Sequence, residues 1–262
     1  MARNAGLRFL CLGLMGVWAA AGCGGEAGVE EVQSAVVTTN ALTANALTAN
    51  ALTANALTAN ALTANALTAN ALTANALTAN GLRDPLGREL FKYVVSCALP
   101  EGQSISMSLD GVSYTFAGAL GLTPQWGQPG GACNESCQRW VSGCVLARVD
   151  AAGVERPISI RGANPALAPS WGEVFTYTDR EAAYFGNLFA DGQPRYLCLA
   201  PGKKGDPRVC GDSLDNCPMD VVGSCAKDCS YEGPFGGFVD CSTSGKARRP
   251  EIFHESVTVF LP

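Results

Sequence analysis

The chain has 262 residues, 47% of them hydrophobic, with 18 basic residues, 23 acidic residues and a single histidine. The charge is mildly acidic and no Lys/Arg run is interleaved with aromatics, which argues against nucleic acid as a partner. Twelve cysteines point either to an oxidising compartment or to metal, and the choice between them shapes the rest of the reading.

The chain opens with Arg3 and Arg8, followed by an apolar run from Phe9 to Ala21. About a dozen apolar residues match a signal-peptide core and are short for a bilayer span. Ala19-Ala20-Ala21-Gly22 then lead into Cys23. This stretch resembles a bacterial lipoprotein signal, in which an apolar-small-small triplet precedes an acylated cysteine. That pattern usually places Leu three residues before the cysteine, where this chain has Ala20; ordinary secretory cleavage after Ala21 is the alternative. The resemblance implies a signal peptide over 1–22 and lipidation of Cys23. Its thiol would carry a diacylglycerol and its freed amine a third chain. Two or more chains anchor stably at about 0.8 kcal/mol per buried CH₂, so the membrane becomes a partner through these N-terminal acyl chains. Gly24 follows the cysteine where Asp would favour inner-membrane retention, so the resemblance implies the outer membrane or cell surface. After cleavage, 16 basic residues face 23 acidic ones, because only Arg3 and Arg8 leave with the leader. No later apolar stretch reaches transmembrane length.

Residues 23–40 read as a tether. From Ala41 to Asn80 the unit ALTAN repeats eight times without change. A period of five turns successive leucines by about 140° on a helix and alternates them between the faces of a strand, so neither element gains an apolar side. One surviving reading is a β-solenoid like that of the pentapeptide-repeat proteins, although here Asn rather than a small residue stands two places before Leu. The other is an uncharged flexible stalk with an r.m.s. reach of roughly 40–45 Å. Thr, Asn, Ala and Leu do not titrate, so on either reading the repeat is a spacer or a packing surface.

Composition changes at Gly81, and 81–262 reads as one disulfide-stapled domain. Asp84 and Pro85 signal a helix start, with Leu86, Leu90, Val94 and Cys97 on one stripe and Pro100 as its end. "SISMSLDGVSYTF" predicts a hairpin about Asp110-Gly111. A second helix starts near Asn134, with a stripe of Cys137, Trp140, Val141, Cys144 and Val145 and Gly153 as its stop. "RPISIRG", "RYLCLA" and "ESVTVFLP" read as strands, and "DREAAYFGNLF" as a short helix capped by Asp179. The sum is an α+β domain.

Ten cysteines belong to that domain: Cys97, Cys133, Cys137, Cys144, Cys198, Cys210, Cys217, Cys225, Cys229 and Cys241. Six of them fall between Cys198 and Cys241, in a stretch rich in Gly, Pro and Asp that needs cross-links to hold a shape. Zinc is disfavoured because the spacings lack C-x2-C knuckles and His254 is the only histidine. Cys97 and Cys144, on the apolar faces of the two helices, form the best single candidate pair.

The blocks "LFKYVVSCALPEGQ", "RWVSGCVLARVDAAGV" and "EAAYFGNLF", with the preceding pentapeptides, resemble a family of surface lipoproteins from gliding, predatory soil bacteria. Its members carry N-terminal Asn-x-Leu-type repeats before a cysteine-bearing domain. The resemblance spans residues 36–262 and implies a location; no activity comes with it.

Five features could carry chemistry. "GDSL" at Gly211–Leu214 resembles the nucleophile block of GDSL esterases, with Ser213 as nucleophile. Only 48 residues follow Leu214, Cys210 and Cys217 bracket the string, and Glu251-Ile252-Phe253-His254 stands where Asp-x-x-His would, so a disulfide loop is the plainer account. "DSLDNCPMD" offers Asp212, Asp215, Asn216 and Asp220 as hard ligands for calcium and looks like a fragment of the thrombospondin type 3 repeats, against a solvated turn. His254 reads as a surface strand residue. Glu173, Asp179 and Glu181 supply carboxylates for glycoside hydrolysis or for capping and solvation. Trp126, Trp140, Trp171 and Tyr184 are expected in the core, with Trp126, in a Gly/Pro-rich loop, the one placed for exposure. The combined expectation is a non-enzymatic surface binding or structural module without a cofactor; the alternative is an extracellular hydrolase, esterase or glycosidase.

Overall fold

The structure is a computed structural model. It describes residues 37–40, 42–43, 85–128, 132–190, 192–203, 207–233, 236–243 and 250–262. Contacts divide the chain into Met1–Val32 and Gln33–Pro262, and every described residue belongs to the second unit. The signal peptide, Cys23, most of the repeat and the cap at Asp84 lie outside the described residues.

In chain order the strands begin with β1 (Val37–Asn40) and β2 (Leu42–Thr43). Helix α1 (Pro85–Ala98) follows, then the hairpin β3 (Ser104–Leu109) and β4 (Val112–Ala117), helix α2 (Glu135–Ala147), and strands β5 (Val149–Asp150) and β6 (Arg156–Arg161). Helix α3 (Trp171–Thr176) leads into β7 (Asp179–Gly186), β8 (Arg195–Leu199) and β9 (Asp220–Ser224). The last part holds α4 (Cys225–Asp228), β10 (Ser230–Tyr231), β11 (Phe238–Val239), β12 (Cys241–Ser242), β13 (Ile252–Phe253) and β14 (Val257–Leu261).

Six strands make the main sheet in the order β1-β6-β14-β7-β8-β9. Its pairs are antiparallel except β8 with β9. Helices beside a mixed sheet make the domain α+β. The sheet takes in Val37–Asn40, residues that composition assigned to the tether, so the fold reaches back across the boundary drawn at residue 81.

Local chemistry explains the helices. In α1, Leu90, Val94 and Cys97 are buried on one stripe. In α2, Asn134 is the N-cap, and its side-chain oxygen accepts the Cys137 amide at 2.9 Å, a contact worth about 1 kcal/mol. The helix ends at Ala147 rather than near Gly153, where Arg208 donates to the carbonyls of Ala147 and Val149 and satisfies the buried helix end. In the hairpin, Asp110 and Gly111 adopt φ of 52° and 80°, the left-handed pair of a type I′ turn that matches strand twist. Ile105, Met107 and Phe116 point inward. On the other face, Ser106 meets Thr115 and Ser108 meets Ser113.

The stretch Asp179–Gly186 is a strand, not the helix expected from its apolar run. Both faces of the sheet are covered, so successive residues of β7 from Glu181 to Gly186 are all buried and the period-2 signal vanishes. Ala182 and Tyr184 enter the core shared with α1 and α2. Ala183 and Phe185 enter a second core with Cys198, Val222, Phe238, Cys241 and Phe253. A bulge opposite Val259/Phe260 leaves Glu181 unpaired between Ala182 and Arg180. It turns the Glu181 carboxylate toward the α1/α2 side and Arg180 toward the other, the re-aiming that bulges produce.

All ten cysteines of the domain are joined as Cys97–Cys144, Cys133–Cys137, Cys198–Cys225, Cys210–Cys217 and Cys229–Cys241. Cys97–Cys144 ties α1 to α2 with both residues fully buried. The dense Cys198–Cys241 stretch holds three of the bridges, as its weak apolar content requires.

Candidate functional site

The esterase constellation is not assembled. Ser213 caps the 3-10 turn Leu214–Asn216, with its hydroxyl accepting the Asp215 amide at 3.1 Å. The loop packs through Cys210, Leu214 and Cys217 on the α1/α2 core. His254 follows Phe253, which lies in the core on the opposite face of the sheet. The His254 Nδ1 lies 2.6 Å from Asp240 Oδ1 in an exposed pair, so the imidazole is bound to a different carboxylate on a different face from Ser213.

The carboxylates are likewise dispersed. Glu173 is buried, and its Oε1 accepts the Ser159 hydroxyl at 2.5 Å. Asp179 is exposed and pairs with Lys203 at 2.6 Å. Glu181 is buried on the other face, where it pairs with Arg208 at 3.2 Å and accepts the Tyr184 hydroxyl at 3.1 Å and the Arg208 amide at 2.9 Å. Burial, and next the Glu181 carboxylate, push the Tyr184 phenol well above its usual range. Each acid therefore has a structural partner. Asp212 and Asp215 project into solvent, while Asp220 starts β9 close enough to Arg195 to bias its charge. Among the described residues these three acids form no cluster of metal-binding geometry.

One sulfur cluster does form. The Sγ atoms of Cys198, Cys225 and Cys229 lie within 4.8 Å of one another, with Cys198 and Cys229 at 3.4 Å. All three are spent in disulfides, to Cys225, Cys198 and Cys241 respectively, so none offers the thiolate a metal takes. The signal for this cluster was C-x3-C: Cys225 and Cys229 bracket one helical turn and therefore share a side.

The surface offers a different feature. Trp171 and Phe175, one turn apart on α3, stack with ring centroids 6.3 Å apart and planes inclined by 21°. They are 71% and 73% exposed, against the expectation that Trp171 is core; Trp126 is in the core as expected, its loop notwithstanding. The exposure of Trp171 has a local cause. Val174 and Glu173 take the inward positions of the six-residue helix, which leaves the i and i+4 aromatics outside.

The base beneath the rings is tightly held. Ser170 caps α3 by accepting the Glu173 amide at 3.3 Å. Arg161, itself 2% exposed, donates to the Tyr177 carbonyl at 2.8 Å, the Glu173 carbonyl at 3.4 Å and the Ser159 hydroxyl at 2.9 Å. Its guanidinium lies 3.8 Å from the centroid of Phe260, a ring it shares with Arg180 at 5.2 Å. Arg180 also lies under the half-exposed Tyr231 ring at 4.6 Å and donates to its hydroxyl. Burial lowers the Arg161 pKa, with Glu173 acting in the opposite direction. Two exposed apolar rings thus stand on a charge-and-aromatic foundation that fixes their backbone. Rigid, flat, solvent-facing rings suit a partner surface better than a bond-breaking step.

A groove of about 660 Å³ runs between α1 and β4, lined by Arg88, Glu89, Lys92, Ser96 and Phe116. Burial raises the Glu89 pKa, with Lys92 opposing.

No family model, no curated protein and no solved structure matches this chain.

Proposed function

We propose that this is a cell-envelope lipoprotein, acylated at Cys23, whose disulfide-stapled domain is a non-enzymatic binding module at the outer membrane or cell surface. Five disulfides fit an exported protein. The observation that carries the binding reading is the Trp171–Phe175 pair, left in solvent on a rigid base while every candidate catalytic acid is tied to a structural partner.

The test has two arms. Intact-mass spectrometry of the mature protein should show a diacylglycerol-modified N-terminal Cys23 and a mass gain of ten hydrogens on reduction. Co-sedimentation with purified envelope polysaccharide should be saturable and fall at least tenfold in Trp171→Ala/Phe175→Ala, with the melting temperature unchanged. An unmodified N-terminus, or retention identical in the double variant, sinks the corresponding arm. The hydrolase alternative is served by turnover of chromogenic esters and glycosides. Activity abolished by Ser213→Ala, or by Glu173→Gln, would replace the binding reading.

A further inference from the structure

The residues before the first repeat are an altered ninth copy of it. Val36-Val37-Thr38-Thr39-Asn40 aligns on Ala41-Leu42-Thr43-Ala44-Asn45, with Thr kept in the third place and Asn in the fifth. The three changes run one way: Ala to Val, Leu to Val and Ala to Thr. Each exchanges a residue at ease in a helix for a β-branched one that favours an extended backbone.

This altered unit is the one that forms β1, paired antiparallel with β6 from Val37↔Ser159 through Thr38↔Ile158 and Thr39↔Pro157 to Asn40↔Arg156. The first unaltered unit is paired too. Its Leu42–Thr43 runs parallel to Val149–Asp150 of β5. An altered unit and a consensus unit are therefore both seen in backbone pairing with the domain.

Strand β6 has β14 on its other side, so β1 covers an edge that would otherwise present unpaired N–H and C=O groups. Most strands are held in one register, because a slip by an odd number of residues turns every side chain to the wrong face. Here a slip of five returns Thr and Asn to their pairing places, and each further slip of five returns the same residue to all four. Thr again stands opposite Ile158 and Asn opposite Arg156, with Leu opposite Ser159 and Ala opposite Pro157. The penalty that fixes register elsewhere is absent for whole-unit steps. The β-branched unit takes the edge first, and eight near-equivalent competitors follow it on the same chain at high effective concentration.

We infer that the edge of β6 is a strand-acceptor site for pentapeptide units, filled by Val37–Asn40 in this structure and open in whole-unit steps to the ALTAN units of the same chain. Every step moves five residues from the stretch between the docked strand and α1 to the stretch ahead of the docked strand. That segment runs from Cys23 to residue 37 in the present register and from Cys23 to residue 77 when the last unit is docked.

Hydrogen exchange of the full mature chain, followed by mass spectrometry on the peptide covering 156–161, tests the inference. Thr38→Pro/Thr39→Pro removes two consecutive strand donors, one of which must face β6, and bars that unit from the edge. The expected result is β6 protection within about threefold of wild type, with a few amides of the 41–80 peptide newly protected. Adding prolines at the third and fourth places of all eight repeats should speed β6 exchange by about 100-fold while peptides from β7 and β14 stay protected. The first double variant alone giving that same loss would overturn the inference, as would β6 staying protected with every unit blocked. A proline-free variant, Val36→Ala/Val37→Leu/Thr39→Ala, makes nine identical units. It should keep β6 protection within about threefold, and a 100-fold loss would show that the edge reads Val and Thr side chains rather than the repeat. A Thr38→Pro/Thr39→Pro protein that becomes dimeric in light scattering would place the donor unit on a second copy and overturn the same-chain assignment.

Discussion

Removing the Cys97–Cys144 bridge by double alanine substitution tests whether these cross-links act by confining the unfolded chain. The bridge closes a loop of 47 residues. In the chain-entropy treatment such a loop lowers the unfolded state's entropy by about 14 cal/mol/K, or about 4 kcal/mol at 25 °C. The matched control is Cys133–Cys137, which spans 4 residues and gives about 2 kcal/mol by the same expression. All four cysteines are buried, with exposures of 0%, 0%, 4% and 3%, so lost packing is similar and loop length is the main difference. For a domain of this size each kcal/mol shifts the melting temperature by roughly 2–4 °C. Scanning calorimetry should therefore show a fall of about 8–16 °C for the Cys97/Cys144 variant and about 4–8 °C for the control. Equal losses would refute the loop-entropy reasoning, and a melting temperature indifferent to both variants and to reductant would refute the cross-links themselves.

Tyr184→Phe should flatten the alkaline limb of the stability profile. The folded phenol is held neutral by burial and by Glu181, while the unfolded one ionises near pH 10. Its contribution is thus complete below about pH 10 and lost as pH rises beyond it. Urea midpoints at pH 8 and pH 11 should fall steeply for wild type and less for the variant, which also loses about 1–2 kcal/mol at pH 8 with its bond to Glu181. Asn134→Ala removes the cap of α2 and should lower stability by about 1 kcal/mol in urea titration. Arg161→Met leaves the Glu173 and Tyr177 carbonyls without their buried donor, at a cost of about 1–3 kcal/mol. It should also loosen α3, read as faster amide exchange over 171–177 with the hairpin β3–β4 unchanged.

Where one local rule fixes an element, that element was legible in the sequence. Asp110-Gly111 supplies left-handed residues at the two places a tight hairpin needs, and the stripes of α1 and α2 carry the apolar side of each helix. Because each of those stripes carries a cysteine near its end, Cys97 and Cys144 were legible as a pair. Tertiary context hid the rest. The run Ala182–Phe185 reads as helix or strand alike until both faces of the sheet are known to be covered. The bulge at Glu181 depends on the register of β14, which lies far away in sequence. Trp171 looked like core because six residues give too little periodicity to say which side of α3 faces inward. Strand β1 was invisible for another reason: Val37–Asn40 pairs with an edge built from residues more than a hundred positions later. For the candidate site, the tying-up of Glu173, Asp179 and Glu181 by separate partners has no trace in their spacing.

The single turn of α4 carries a cost for whoever makes this protein. Cys225 and Cys229 sit at its two ends, one bonded into β8 and the other into β12, and the nearest sulfurs of the two bridges are 3.4 Å apart. A thiolate freed at Cys229 has the Cys198 sulfur within immediate reach, and attack there releases Cys225. The wrong isomer is thus one exchange away from the right one. Production hosts that oxidise thiols but lack an isomerase should accumulate it, whereas a secretory route with shuffling capacity should return a single species on peptide mapping.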